Sequence, residues 1–296
     1  MHNTQLRILD GGMATSLEAK GFDLSGSLWS AKLLVDNPMA IREVHVEHAQ
    51  AGADIVTSAS YQASRNGFVA NGYSVDDYLR ALEMSLIIAQ SAADEVGSRE
   101  ERKVQVAASI GPYGATLADG SEYRGDYAVS EEFLIDFHGQ RLNDIQEFEP
   151  DLLAIETVPS MVELRAINHL LSQDFRHLSA WVSCSAPNGS TISDGTAVDE
   201  AFRVITAPNV IARGFNCSKP EFIADLIGHA GDHNFVVYPN AGRTWDAQAR
   251  SWLDDGQLTI PDAEMQRWID GGVTILGGCC GLGIEHIASV KALVGR

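Results

Sequence analysis

The chain has 296 residues, 45% of them hydrophobic, and 40 Asp and Glu against 21 Lys and Arg give a formal net charge of −19. That is ample apolar material for one large core, while scattered basic residues on an acidic chain exclude nucleic acid, whose phosphates need clustered Lys and Arg. No apolar run approaches the ~18 residues of a membrane helix, and Met1–Gln5 leads almost directly into a strand-like stretch with no room for a signal peptide, so a cytoplasmic protein without membrane or nucleic-acid partners is expected.

In chain order, short apolar runs alternate with helical patterns. Arg7–Asp10 and Asp54–Ser58 flank the helical stretch Pro38–Ala51. Val75–Val96 leads to Val104–Ile110, Glu131–Phe148 to Leu152–Thr157, and Met161–Leu171 to Ala180–Ser183. Val210–Phe215 precedes the helix Pro220–His229; Phe235–Tyr238, Val273–Leu276 and the helix Ile284–Val294 close the chain. Most strand candidates are continuously apolar rather than alternating, as parallel strands covered on both faces must be. Asn37 before Pro38, and Ser130 before Glu131-Glu132, are helix-start signals.

Eight strand-then-helix units predict an α/β fold, a single (β/α)8 TIM barrel over residues 1–296. An open doubly wound sheet would carry a G-x-G-x-x-G turn after the first strand, and Asp10-Gly11-Gly12-Met13-Ala14 lacks that spacing. The Gly- and Tyr-rich stretch 111–127 reads as a long functional loop after the third strand.

Barrel enzymes keep their chemistry where strands end. Here the ends read Asp10-Gly11-Gly12, Ser58-Ala59-Ser60-Tyr61, Gly111-Pro112-Tyr113, Glu156-Thr157, Cys184, Asn216-Cys217, Pro239-Asn240 and Gly278-Cys279-Cys280. Cys217 closes strand six and Cys279-Cys280 follow strand eight, roughly 10 Å away across one intervening strand. Metal–thiolate bonds of about 2.3 Å from side chains leaning inward span that gap. Neighbouring cysteines are poor disulfide partners, and three soft sulfurs select one zinc ion over magnesium or calcium. Cys184 reads as a small core residue.

Three protein ligands leave one position for a substrate. A zinc ion with three thiolates has a net charge of −1, which makes it a weak Lewis acid but a good holder of a substrate thiolate. A free thiol near pKa 8.5 is only about 3% ionised at pH 7, whereas a metal-bound one is deprotonated. Zinc hydrolases use His and carboxylate ligands, and no histidine pair stands at the rim. Thiol alkyl transfer is the chemistry these residues suit.

At these positions the sequence resembles the homocysteine S-methyltransferase family, from Ile8 to Leu293. The resemblance rests on Leu9-Asp10-Gly11-Gly12-Met13-Ala14-Thr15, Gly214-Phe215-Asn216-Cys217 and Gly277-Gly278-Cys279-Cys280. Ser27–Lys32, Thr57–Ala63, Gly111–Ala115 and Leu117–Tyr127 are similar to the subgroup that uses S-methylmethionine. The resemblance implies zinc on Cys217, Cys279 and Cys280, homocysteine as acceptor and methionine as product. It further implies that Asp10, Glu156 and Thr157 receive the acceptor's amino-acid group. Tyr61 matches a tyrosine that occupies zinc's open position before homocysteine arrives in betaine-using relatives. Two stretches depart from the family pattern: Gly281-Leu282-Gly283 after the paired cysteines, and Ser16 in place of an acidic residue.

The barrel fills the chain and leaves no space for a cobalamin- or folate-binding domain, so the methyl donor is a small molecule. S-methylmethionine is the expected sulfonium donor, with S-adenosylmethionine or betaine as alternatives. Cations of this kind favour aromatic faces and carboxylates. Trp29, Tyr113, Glu122 and Tyr123 offer such groups, and Arg124 offers a partner for the donor's carboxylate. A selenol acceptor, or a non-catalytic zinc or thiol sensor on the same scaffold, are the other readings.

Overall fold

The computed structural model describes residues 6–24, 30–242, 245–246, 251–252 and 258–296. Among them, eight parallel strands form one sheet: β1 (Arg7–Ile8), β2 (Ile55–Thr57), β3 (Gln105–Ile110), β4 (Leu152–Val158), β5 (Ala180–Cys184), β6 (Val210–Asn216), β7 (Phe235–Tyr238) and β10 (Val273–Leu276). Their order is β1-β10-β7-β6-β5-β4-β3-β2, and a parallel bridge between Leu9 and Ile55 joins the two ends into a barrel. The small pair β8 (Trp245–Asp246) and β9 (Ser251–Trp252) stands outside it as an antiparallel ribbon.

The predicted strands agree with these to within a residue or two, and Phe235–Tyr238 and Val273–Leu276 match end for end. The agreement has a physical source, because each strand is covered on both faces. One buried set, including Leu9, Ala107, Trp181, Val236 and Ile275, fills the barrel's interior; a second and larger set lies between sheet and helices. Gly214 shows how closely β6 and β7 are packed: a Cβ there would sit 1.7 Å from the carbonyl oxygen of Val236.

The helices follow the strands as expected: α3 (Pro38–Ala51), α5 (Val75–Glu100), α6 (Glu131–Gln146), α7 (Met161–Gln173), α9 (Pro220–Ala230) and α11 (Ile284–Leu293). Shorter ones, α1 (Met13–Ala19), α2 (Ser30–Asp36), α4 (Arg65–Ala70), α8 (Val198–Val204) and α10 (Asp262–Asp270), complete the series. Ser130 caps α6 by accepting from the Phe133 N–H, as its position predicted. Asn37 makes no side-chain cap to α3, which instead starts on Pro38, a residue with no N–H to satisfy. No described helix is long and apolar enough to cross a membrane.

Candidate metal centre

The three rim cysteines meet. Strand β7 lies between β6 and β10, and the turn after it clamps both cysteine-bearing loops. The Cys217 N–H donates to the Tyr238 carbonyl at 3.1 Å and the Cys279 N–H to the Pro239 carbonyl at 2.8 Å. The Asn240 side chain donates to the Cys217 carbonyl at 3.0 Å, and the Ala241 N–H donates to the Cys280 carbonyl at 2.8 Å. Cys217 itself adopts a left-handed backbone conformation, φ 49°, that turns the chain out of β6 at this point.

The sulfurs of Cys217, Cys279 and Cys280 all lie within 4.8 Å of one another, with Cys217 to Cys280 at 3.5 Å and Cys279 to Cys280 at 3.8 Å. Tetrahedral zinc with bonds of about 2.3 Å sets its sulfurs about 3.8 Å apart, so the trio fits that ion. Electrostatics agree. Hydrogen bonds from Cys279 and Cys280 favour the thiolate on Cys217 and hold its pKa well below the ordinary thiol range; beside that sulfur the other two thiols are pushed up. Ionising all three sulfurs together would take a cation to balance them. Cys184 stands apart, fully buried in the core, and burial raises its pKa.

Asp10, Glu156 and Thr157 line the same cavity as the cysteines. Asp10 is buried and accepts from the Thr57 N–H at 2.7 Å and from the Thr57 hydroxyl. Burial lifts its carboxyl to about 8, and the charge of Glu156 adds to the rise. Glu156 accepts from the Ser109 hydroxyl and shares a hydrogen bond with Tyr238; burial raises it to about 7. Two buried carboxyl groups with no cationic side chain bonded to either among the described residues form a pocket that favours an incoming ammonium.

Thr157 has φ 61°, exceptional for a β-branched residue, at an irregularity in the β4–β5 pairing. Asn216 secures it by accepting the Thr157 N–H at 2.7 Å and donating to the Thr157 hydroxyl oxygen at 2.7 Å. The Ser183 hydroxyl donates to the same Asn216 oxygen at 2.8 Å. Asn216 and Asn240 thus tie loop backbone, as polar residues at strand ends commonly do.

The donor-side candidates divide. Tyr123 lines the cavity, and its hydroxyl donates to the Cys217 sulfur at 3.7 Å. Neighbouring Glu122 is buried, with one carboxylate oxygen that finds no hydrogen-bond partner among the described residues; burial raises it to about 7. Tyr61 also lines the cavity, where its hydroxyl bonds to the Thr157 side chain and the charge of Cys217 helps hold its pKa up; Tyr123 stands beside it with a hydrogen bond to Cys217. Tyr113 does not line the cavity. Its ring packs edge-on against Tyr127, Phe133 and Phe137 at 5.1–5.4 Å, because the loop turns that ring outward onto α6. Arg124 is also turned away, paired with Asp126 at 3.1 Å and Asp119 at 3.8 Å within its own loop. Trp29 lies outside the described residues.

Sequence reasoning missed Thr57, Ser109 and Tyr238, the residues that hold the two carboxylates. The signal for Ser109 was available as a hydroxyl near the end of a strand that is otherwise apolar after Gln105. The unusual turn Gly281-Leu282-Gly283 docks on the first βα loop: the Gly12 N–H donates to the Leu282 carbonyl, and the Gly281 N–H to the Thr15 hydroxyl, both at 2.8 Å. Ser16 pairs with His48 at 2.9 Å.

The family model "Homocysteine S-methyltransferase" matches residues 7–294. The homocysteine S-methyltransferase YbgG of Bacillus subtilis (strain 168) is 42% identical over 97% of this chain and 94% of its own length. A selenocysteine Se-methyltransferase of Brassica oleracea var. italica is 38% identical over 98% and 89%. The metallated form of the Escherichia coli homocysteine methyltransferase MmuM superposes with a TM-score of 0.87, at 36% identity, over 98% of this chain and 96% of that one.

Proposed function

The chain belongs to the homocysteine S-methyltransferase family, and from that premise we propose that it methylates the thiol of homocysteine from S-methylmethionine, yielding methionine. The observation that carries this reading is the convergence of three cysteine sulfurs with Asp10 and Glu156 in one cavity. Cys217, Cys279 and Cys280 would hold the zinc ion, which when bound supplies an acceptor thiol that is deprotonated yet still nucleophilic.

The remaining work falls to the chain's own groups. Asp10 and Glu156 take the acceptor's ammonium, and in doing so each acquires the counter-charge its burial otherwise denies it. Thr157, held by Asn216, shapes the backbone beside that ammonium. Glu122 and Tyr123 face the donor, a carboxylate and an aromatic ring for a cationic sulfur. Aligning the acceptor sulfur, the methyl carbon and the departing sulfur supplies the proximity contribution. The donor leaves as a neutral thioether, so no acid is required. Free thiols and a thiol substrate suit a reducing compartment, and we place the reaction in the cytoplasm.

A donor panel tests the reading: purified protein with homocysteine and S-methylmethionine, S-adenosylmethionine or betaine, followed by methionine formation. S-methylmethionine should be preferred. Absence of methionine with all three donors would refute the assignment, and preference for betaine would refute the donor. The resemblance to a selenocysteine Se-methyltransferase favours one further acceptor class, a selenol, measured in the same assay.

A further inference from the structure

We propose that Glu163 is the positioning residue of the donor-side loop, one carboxylate that gathers both ends of residues 113–127 and so seats Tyr123 and Glu122 beside the cysteine cluster. The proposal rests on the reading of this cavity as a methyl-transfer site. Glu163 is fully buried in the first turn of α7, the helix that follows the strand carrying Glu156 and Thr157. One of its oxygens accepts from the Tyr113 N–H at 2.7 Å and from His138 Nε2 at 2.7 Å; the other accepts from the Tyr127 hydroxyl.

Tyr113 and Tyr127 bracket the loop, and their rings meet edge to face at 5.4 Å. Between them the chain folds back on itself so tightly that a Cβ on Gly114 would sit 2.7 Å from the Glu122 backbone nitrogen and 2.8 Å from the Tyr127 ring. Beyond that waist, Ser185 donates to the Glu122 carbonyl at 3.0 Å, and the Tyr123 hydroxyl reaches Cys217. The loop is therefore closed at Glu163 and has its tip at the sulfurs.

A carboxylate suits this place because three donors converge on it, and its two oxygens can accept them all; an amide has one acceptor oxygen and adds two donors. Neither Glu163 nor its bonding partners Tyr113, His138 and Tyr127 are among the residues that line the cavity. Its influence on the reaction is exerted through the loop, by ordering the tip before the donor binds.

The test uses the zinc-loaded enzyme with Glu163→Gln and with Tyr127→Phe, the second removing a single hydroxyl in case the first folds poorly. In both, the KM for S-methylmethionine should rise about tenfold, the loss of a hydrogen bond to a charged group. Zinc content and the KM for homocysteine should stay unchanged. Tyr123→Phe should raise donor KM in the unaltered background and add little to Glu163→Gln, since coupled residues are not additive. Unchanged donor KM in both variants would overturn the proposal. So would equal rises for both substrates with loss of zinc, or full additivity with Tyr123→Phe. If the unaltered enzyme forms no methionine, the functional reading fails; amide exchange across 113–127 then tests the tie separately, faster exchange in both variants supporting it and unchanged exchange refuting it.

Discussion

Asn216 holds Thr157 in a left-handed backbone conformation by bonding both its N–H and its hydroxyl, across 59 residues of sequence. The pair joins the ends of β4 and β6, one bearing Glu156 and the other leading to Cys217. A conformation that costs on the order of 1–3 kcal/mol persists only where its surroundings enforce it.

Asn216→Ala removes that enforcement and leaves a buried N–H unpaired, at about 1–3 kcal/mol. Stability by urea unfolding should fall by that amount, and the KM for homocysteine should rise as Thr157 relaxes. An unaltered KM would mean that the Thr157 conformation is irrelevant to acceptor binding.

Glu156→Gln keeps the shape of the side chain and its acceptor for Ser109 while removing the charge. Losing a charged partner for the acceptor's ammonium should raise homocysteine KM about 10- to 100-fold, with little change in the donor's. Steady-state kinetics with each substrate varied in turn decides it; a rise confined to the donor would reassign this carboxylate.

Cys279→Ala should lower zinc content, measured by elemental analysis, and abolish methionine formation, because two thiolates no longer complete the ligand set. Retention of one zinc per chain with undiminished turnover would refute the three-sulfur centre. The fold itself should survive, since the Cys279 side chain lies at the rim and its backbone N–H still bonds to Pro239.

His48 is fully buried in α3, its Nδ1 finds no hydrogen-bond partner among the described residues, and burial lowers it from 6.5 to about 4. Between those values the unfolded chain binds the extra proton, so stability falls as pH drops through 6.5. The buried carboxyls of Asp10, Glu122 and Glu156 are raised and act in the opposite sense, so the comparison must be with a variant. From pH 7.5 to 5.5 the unaltered protein should lose about 1.4 kcal/mol more than His48→Gln. Equal losses, read from urea unfolding at both pH values, would show that His48 titrates alike folded and unfolded.

The eight strands were legible in the sequence because a strand covered on both faces must be apolar throughout, and the metal cluster because thiols at strand ends of a closed barrel share one rim. Asp10 and Glu156 were legible as strand-end carboxylates on that same rim, while their place beside the acceptor's amino-acid group came from the resemblance alone. Tertiary structure alone decided the loop that faces them. Tyr113, Tyr123 and Arg124 belong to one short stretch and look alike as candidates, yet one packs on α6, one reaches Cys217 from 94 residues away and one pairs within its own turn. Local pattern records which residues must be buried; it carries no record of the path a loop takes or of which distant donor its carboxylates and thiols will meet. The bonds from Glu163 to Tyr113 and Tyr127, and from Asn216 to Thr157, set that path.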